Sequence, residues 1–117
     1  MIHLDIKDGK LKTSFQELKD ELHQLLCYES SRLNIDDNYN INGYININND
    51  DGFNESDILS IIAKHTIYFK IEAEEDDYTS PDLFSDFIWD GNKLIQLYKN
   101  SFGSIYEIED WTWILND

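Results

Sequence analysis

The sequence predicts an α+β fold: a mainly antiparallel sheet that ends in a β-meander, with two helices packed on one face, in the order ββαβαββββ. Three observations carry this. Apolar and polar residues alternate with the period of a half-buried strand at 2–7, 41–47 and 67–74. Two stretches, after Ser14 and after Asn54, combine a helix cap with apolar residues at helical spacing. The last third carries closely spaced turn signals, which is the pattern of a meander.

The elements follow in order. Ile2, Leu4 and Ile6 alternate with His3, Asp5 and Lys7, and Asp8-Gly9 is a hairpin signal that would return the chain through a short strand at 10–12. Ser14-Phe15-Gln16-Glu17 is a capping box, in which the Ser14 and Glu17 side chains satisfy each other's free backbone N–H groups. From there Phe15, Leu18, Leu22, Leu25, Leu26 and Leu33 recur on one helical face. Residues 34–40 are polar and turn-like. Ile41, Gly43, Ile45 and Ile47 define the next strand, closed by Asn48 to Gly52. A shorter helix, capped by Asn54 or Ser56, buries Ile58, Leu59, Ile61 and Ile62. Beyond it Ile67, Phe69, Ile71 and Ala73 point inward, with Tyr68, Lys70, Glu72 and Glu74 outward. A loop through the only proline, Pro81, leads to strands at 84–89 and 93–98 that flank Asp90-Gly91-Asn92. Asn100 to Gly103 turns the chain into a final strand at 104–115.

Composition sets the frame. At 117 residues the chain encloses one core, so residues 1–117 are read as a single acidic domain. Sixteen aromatic residues supply enough apolar area to fold it despite the charge. One cysteine, Cys27, permits no intrachain disulfide, and Met1 to Asp5 lacks the layout of a secretory signal. No apolar run approaches the roughly 20 residues of a membrane span. A cytoplasmic protein is expected. The abundance of Ile, Asn, Asp, Lys and Tyr, with no Val, follows AT-rich codons and suggests a low-GC bacterium or its phage.

The net charge of −15 is regional: −12 of it falls between residues 34 and 92. Such a field repels phosphate backbones and anionic membranes, so neither direct nucleic-acid binding nor membrane binding is expected. It attracts a basic protein surface and accelerates the encounter with one. The magnitude also exceeds the roughly 2 to 8 that solubility requires of a small domain.

Each chemical constellation fails on a specific count. His23 lies four residues before Cys27 on the same helix, but no third group is placed to orient the imidazole. His3, His23 and His65 stand in different elements and make no metal-ligand spacing. A calcium loop anchored on Gly52 would put Ile58 where the bidentate carboxylate belongs, and one starting at Asp36 would put Ile41 at the glycine position. An irregular calcium site could use only the 48–57 or 74–82 loop. No glycine-rich phosphate cradle is present. The expectation is a protein that is not an enzyme and holds no metal or cofactor.

The candidate binding residues are the acidic ridge Glu72, Glu74, Glu75, Asp76, Asp77, Asp82, Asp86 and Asp90, with Tyr78 as an aromatic anchor. On a strand Glu72 and Glu74 would lie about 6.6 Å apart, comparable to the spacing of phosphates along one DNA strand. Trp89, Trp111 and Trp113 read as core or sheet-face residues. In size, acidity and lack of a catalytic motif the whole chain resembles bacterial immunity proteins, antitoxins and phage anti-defence proteins, including anti-CRISPR DNA mimics. That resemblance rests on composition alone and transfers no residue. It implies a stoichiometric inhibitor whose carboxylates occupy the basic groove of a nuclease-like toxin or defence effector, in competition with nucleic acid. The alternative is an adaptor whose acidity serves solubility and whose binding rests on an apolar sheet edge or aromatic patch.

Overall fold

The computed structural model describes residues 1–26, 30–48, 54–77 and 80–115. Its elements are β1 (Ile2–Leu11), α1 (Phe15–His23), β2 (Ser31–Ile35), β3 (Ile41–Ile47), α2 (Glu55–His65), β4 (Thr66–Asp77), β5 (Ser80–Trp89), β6 (Leu94–Lys99) and β7 (Ile105–Asp110), followed by a 3-10 turn at Thr112–Leu115. The fold is α+β. Among the described residues the strands form one antiparallel sheet in the order β2-β3-β1-β4-β5-β6-β7.

Alternation along the strands separates two sheet faces. Leu4, Ile6, Ile41, Ile45, Ile47, Phe69, Ile71, Phe87, Trp89 and Leu94 turn inward and bury against Leu18 and Leu22 of α1 and Ile58, Leu59, Ile62 and Ala63 of α2. Both helices begin where the sequence places them. Ser14 Oγ accepts from Glu17 N at 3.1 Å, and Asn54 Oδ1 accepts from Ser56 N at 3.0 Å. In each box the N3 carboxylate, Glu17 or Asp57, accepts the cap residue's own N–H.

The structure departs from the expected order in the first third. Asp8-Gly9 makes no hairpin. β1 runs on as one strand with a bulge between Ile6 and Asp8, because residues 8–11 keep pairing with β4 through Asp8↔Lys70, Gly9↔Phe69, Lys10↔Tyr68 and Leu11↔Thr66. A Cβ on Gly9 would meet Ile41 Cγ1 at 3.0 Å, so glycine there serves close packing and not a turn. The first helix ends at His23. Leu33 sits instead in β2, a strand paired only with β3. A second bulge, on β4 opposite Lys10 and Leu11, leaves Ile67 unpaired with β1 and exposed where the alternation put it inward. At the C-terminus the strand stops at Asp110, whose Oδ1 accepts from Thr112 N at 2.8 Å and turns the chain into the 3-10 segment. That segment buries Ile114.

Candidate functional site: an acidic cluster on the helix side of the sheet

The acidic ridge does not stay together. β4 alternates, so Glu72, Glu74 and Asp76 lie on the open face, away from the helices, while Glu75 points to the helix side. On the open face the acids meet cations. Lys7 Nζ lies 2.9 Å from Asp5 Oδ2 and 3.8 Å from Glu72 Oε2. Asp76 sits against the N-terminal ammonium at 3.3 Å and His3 Nε2 at 3.1 Å. His3 Nδ1 contacts Asn46 Oδ1 at 2.8 Å, so both ring nitrogens face acceptors and the imidazole pKa is raised, first by Asn46 and then by Asp76. The same imidazole holds the Asp76 carboxyl below its ordinary value.

Asp86 is buried and pairs with Lys99 Nζ at 2.7 Å. These two line an open hollow with Glu72 and Phe84. Asp90 accepts from Asn92 N and Lys93 N, both at 2.8 Å, and these two bonds hold the hairpin turn and lower its pKa. Tyr78 and the side chains of Asp77 and Asp82 lie outside the described residues, as does Cys27. Much of the ridge is therefore compensated or employed within the fold.

The cluster without such compensation lies on the other face. Glu55 opens α2, and Glu75, at the end of β4, raises its pKa, as does Glu109 of β7. Burial contributes most; together the three effects push the Glu55 carboxyl up to about 7. Glu107 stands beside Glu109 on the same face, opposite Tyr98 and Gln96 of β6. None of Glu55, Glu75, Glu107 and Glu109 has a described ion pair with a cation. Tyr98 Oη donates to Glu109 Oε2 at 2.6 Å; burial first, and then this carboxylate, raises the phenol pKa.

Between these elements lies a cavity of about 120 Å³, lined by Ile2, Glu55, Ala73, Glu75, Leu83, Ser85, Gln96 and Tyr98. Gln96 is only 7% exposed, its Nε2 donates to Ser85 Oγ at 2.9 Å, and its carbonyl Oε1 has no partner. A buried carbonyl left so costs about 1–3 kcal/mol. The sequence carried one signal of it: Leu94, Gln96 and Tyr98 share the inward face of a strand, and an amide on that face needs partners.

β7 lies beyond β6 at the end of the sheet. All six of its residues are exposed, and it is the last strand of the sheet. A bulge between Tyr98 and Lys99 places Tyr106 on the Tyr98 side, ring centroids 6.3 Å apart. On the opposite face Ile108, 64% exposed, continues a strip with Leu97. Trp111 packs edge-on against Phe87 at 5.0 Å, while Trp113 stacks outside it and stays exposed.

A hydroxyl–imidazole–carboxylate contact exists elsewhere. Thr13 Oγ1 lies 2.7 Å from His65 Nδ1, and His65 Nε2 lies 3.2 Å from Glu21 Oε1. The order resembles that of hydrolase triads. The helix N-terminus beside Thr13 is engaged, however: Ser14 N donates to Glu17 Oε2, Glu17 N to Ser14 Oγ and Leu18 N to Ser14 O. With Lys64 Nζ also on Glu21, 2.8 Å away, the contact fastens α1 to the end of α2. His3, His23 and His65 remain in three separate elements, and no group of three or more potential metal ligands occurs among the described residues. No described helix is long and apolar enough to cross a membrane. No protein-family model, curated protein or solved structure matches the chain.

Proposed function

We propose that the protein is a non-catalytic, cytoplasmic inhibitor that docks on the basic, nucleic-acid-binding or active-site surface of a nuclease-like toxin or defence effector. The contact face is the helix-side surface that carries Glu55 of α2, Glu75 of β4 and Glu107 and Glu109 of β7. The observation that carries this reading is the group Glu55, Glu75, Glu107 and Glu109, four carboxylates on one face with no described cation partner. A surface of that kind is completed by lysines and arginines. Tyr106 beside it supplies exposed aromatic contact, of the kind enriched at interfaces. Among the described residues the outer edge of β7 has no strand beside it, and it offers backbone groups for strand addition. The ridge residues Glu72, Glu74 and Asp76 flank the contact from the open face and steer the encounter at longer range.

The test is a low-salt pull-down from the native host and its competitors, eluted with a salt gradient, using the parent protein and E107K/E109K. A basic nuclease or nucleic-acid-binding effector, released by moderate salt and held about tenfold or more weakly by the double variant, is the expected result. An undiminished inhibitory effect of E107K/E109K on such a target would remove the helix-side cluster from the contact. If saturating amounts of the parent left the target's activity and nucleic-acid binding untouched, the inhibitor reading would fail. A second reading, the adaptor, is favoured by one feature: Phe102, Ile105, Ile108 and Trp113 are all exposed. It predicts a partner retained through high salt.

A further inference from the structure

The open face of the sheet carries an aliphatic patch that neither helix covers. Lys70, Ile88, Ile95 and Asp110 are paired in one row across β4 to β7, and Leu97 with Ile108 continues the aliphatic surface on β6 and β7. None of Ile88, Ile95, Leu97 and Ile108 belongs to the core or packs against it. A sheet face left to water takes polar residues at such positions. The surroundings are mixed in sign, although the chain as a whole carries −15. Lys70 stands at the β4 end of the row and Asp110 at the β7 end, with Lys93 near enough to lower the Asp110 pKa. Asp86, paired in register with Leu97, is held by Lys99 at 2.7 Å. Glu72 lies 3.8 Å from Lys7, and Glu74, opposite Phe84, adds one further negative charge.

We propose that this face joins two copies of the chain, packed sheet against sheet about a two-fold axis that runs along the strands between β5 and β6. The inference is independent of the inhibitor reading. A two-fold axis needs a surface that complements itself. The row from Lys70 to Asp110 does so, because it is cationic at one end, acidic at the other and aliphatic between. Rotation about the axis reverses the row: Lys70 of each copy meets Asp110 of the other, and Ile88 covers Ile95. The sheets then lie about 10 Å apart with nearly aligned strands. Asp86 and Lys99 satisfy each other within one copy, so covering them leaves neither charge unpaired. A purely apolar partner would leave the opposite charges at the two ends of the row unused, and a basic one would be repelled by Lys70. Strand spacing and rise give the patch an extent of roughly 14 by 20 Å. That is well under the ~800 Å² that each side of a standard interface buries, so the dimer is weak and reversible. Two copies at −15 also repel each other until salt screens them. Pairing through the open face leaves the carboxylates of the helix side outward on both copies, which makes any contact they form bivalent.

The experiment is sedimentation equilibrium of the full chain between about 10 μM and about 1 mM, in roughly 0.05 M and roughly 0.5 M sodium chloride. The expected result is a monomer–dimer equilibrium with a dissociation constant of about 0.1 mM at the higher salt, and several-fold weaker association at the lower. I108K changes a residue that is 64% exposed and should weaken the dimer about tenfold or more. K70D and D110K, each checked for an unchanged backbone spectrum, should each lose self-association, because both put like charges at the ends of the row. Their equimolar mixture should associate again, since both ion pairs return with the signs exchanged. Should D110K disturb the turn that Asp110 makes with Thr112, K70D and I108K alone carry the test. A chain that stays monomeric at about 1 mM in the higher salt overturns the proposal. So does association that salt weakens. Self-association undiminished in K70D overturns it as well, and is the result expected of edge-to-edge pairing through β7.

Discussion

Glu55 shows how position and not residue type sets the behaviour of an acid in this chain. Its carboxyl is half-buried at the start of α2 and faces Glu75 from β4 and Glu109 from β7, with Tyr98 of β6 also lining the cavity. Burial and these like charges raise its pKa from 4.5 to about 7. Between those values the folded chain holds a proton that the unfolded chain has released, so stability falls as pH rises through this window and the full cost is present above it. E55Q removes that cost. It should match the parent near pH 5 and exceed it at pH 8 by about 1–2 kcal/mol, allowing for solvent screening of a partly exposed group. Urea unfolding at the two pH values measures the difference. A variant no more stable than the parent at pH 8 would mean that Glu55 ionises there without penalty.

The same scale explains what could be read of the site in advance. A run of acids between Glu72 and Asp90 was visible as charge, but charge does not reveal sides. The period of a strand sends Glu75 away from Glu72, Glu74 and Asp76, and only the fold brings it near Glu55 and Glu109. Lys7 and Lys99, distant in sequence, neutralise Glu72 and Asp86 through strand pairing that no local pattern specifies. Gln96 was not among the candidates, and its one sign in the sequence is a polar residue in register with Leu94 and Tyr98.

Among the elements, those with a local physical cause were legible, and those held by partners were not. Both helices declare themselves through caps, and the strands from β4 to β6 through alternation and the Asp90 turn. β2 has no such signature. Arg32 and Asn34 are exposed, and the strand exists because its backbone pairs with β3. Gly43 makes that pairing possible. It has φ of 137°, and a Cβ there would lie 2.0 Å from the Arg32 carbonyl oxygen. G43A is therefore expected to push β2 off the sheet or strain β3, at a cost of about 2 kcal/mol or more. Hydrogen exchange resolves the consequence: amides of 31–35 should lose protection while those of β4 and β5 keep theirs. Unchanged protection and stability would show that the close approach is not maintained in solution.

For the whole molecule, the balance of 24 acids against nine Lys and Arg governs both stability and association, and in opposite directions. The exposed pairs, such as Lys7 with Asp5, contribute little each and are weakened by salt. Repulsion among the remaining carboxylates is spread over the molecule and is screened by the same salt, since the Debye length falls from about 30 Å at 0.01 M to roughly 3 Å at 1 M. Net repulsion dominates at −15, so the protein alone should melt about 5 °C higher in roughly 0.5 M sodium chloride than at low salt, the equivalent of about 1 kcal/mol. A thermal melt at fixed neutral pH measures this. Binding through the carboxylate cluster must respond the other way, because the charges that oppose folding are those that attract a basic surface. Salt that stabilises the chain while releasing its partner is the signature of acidity maintained for recognition. A partner that stays bound as the melting temperature climbs would place the contact on Phe102, Ile108 and Trp113 instead, where apolar burial is unaffected by screening.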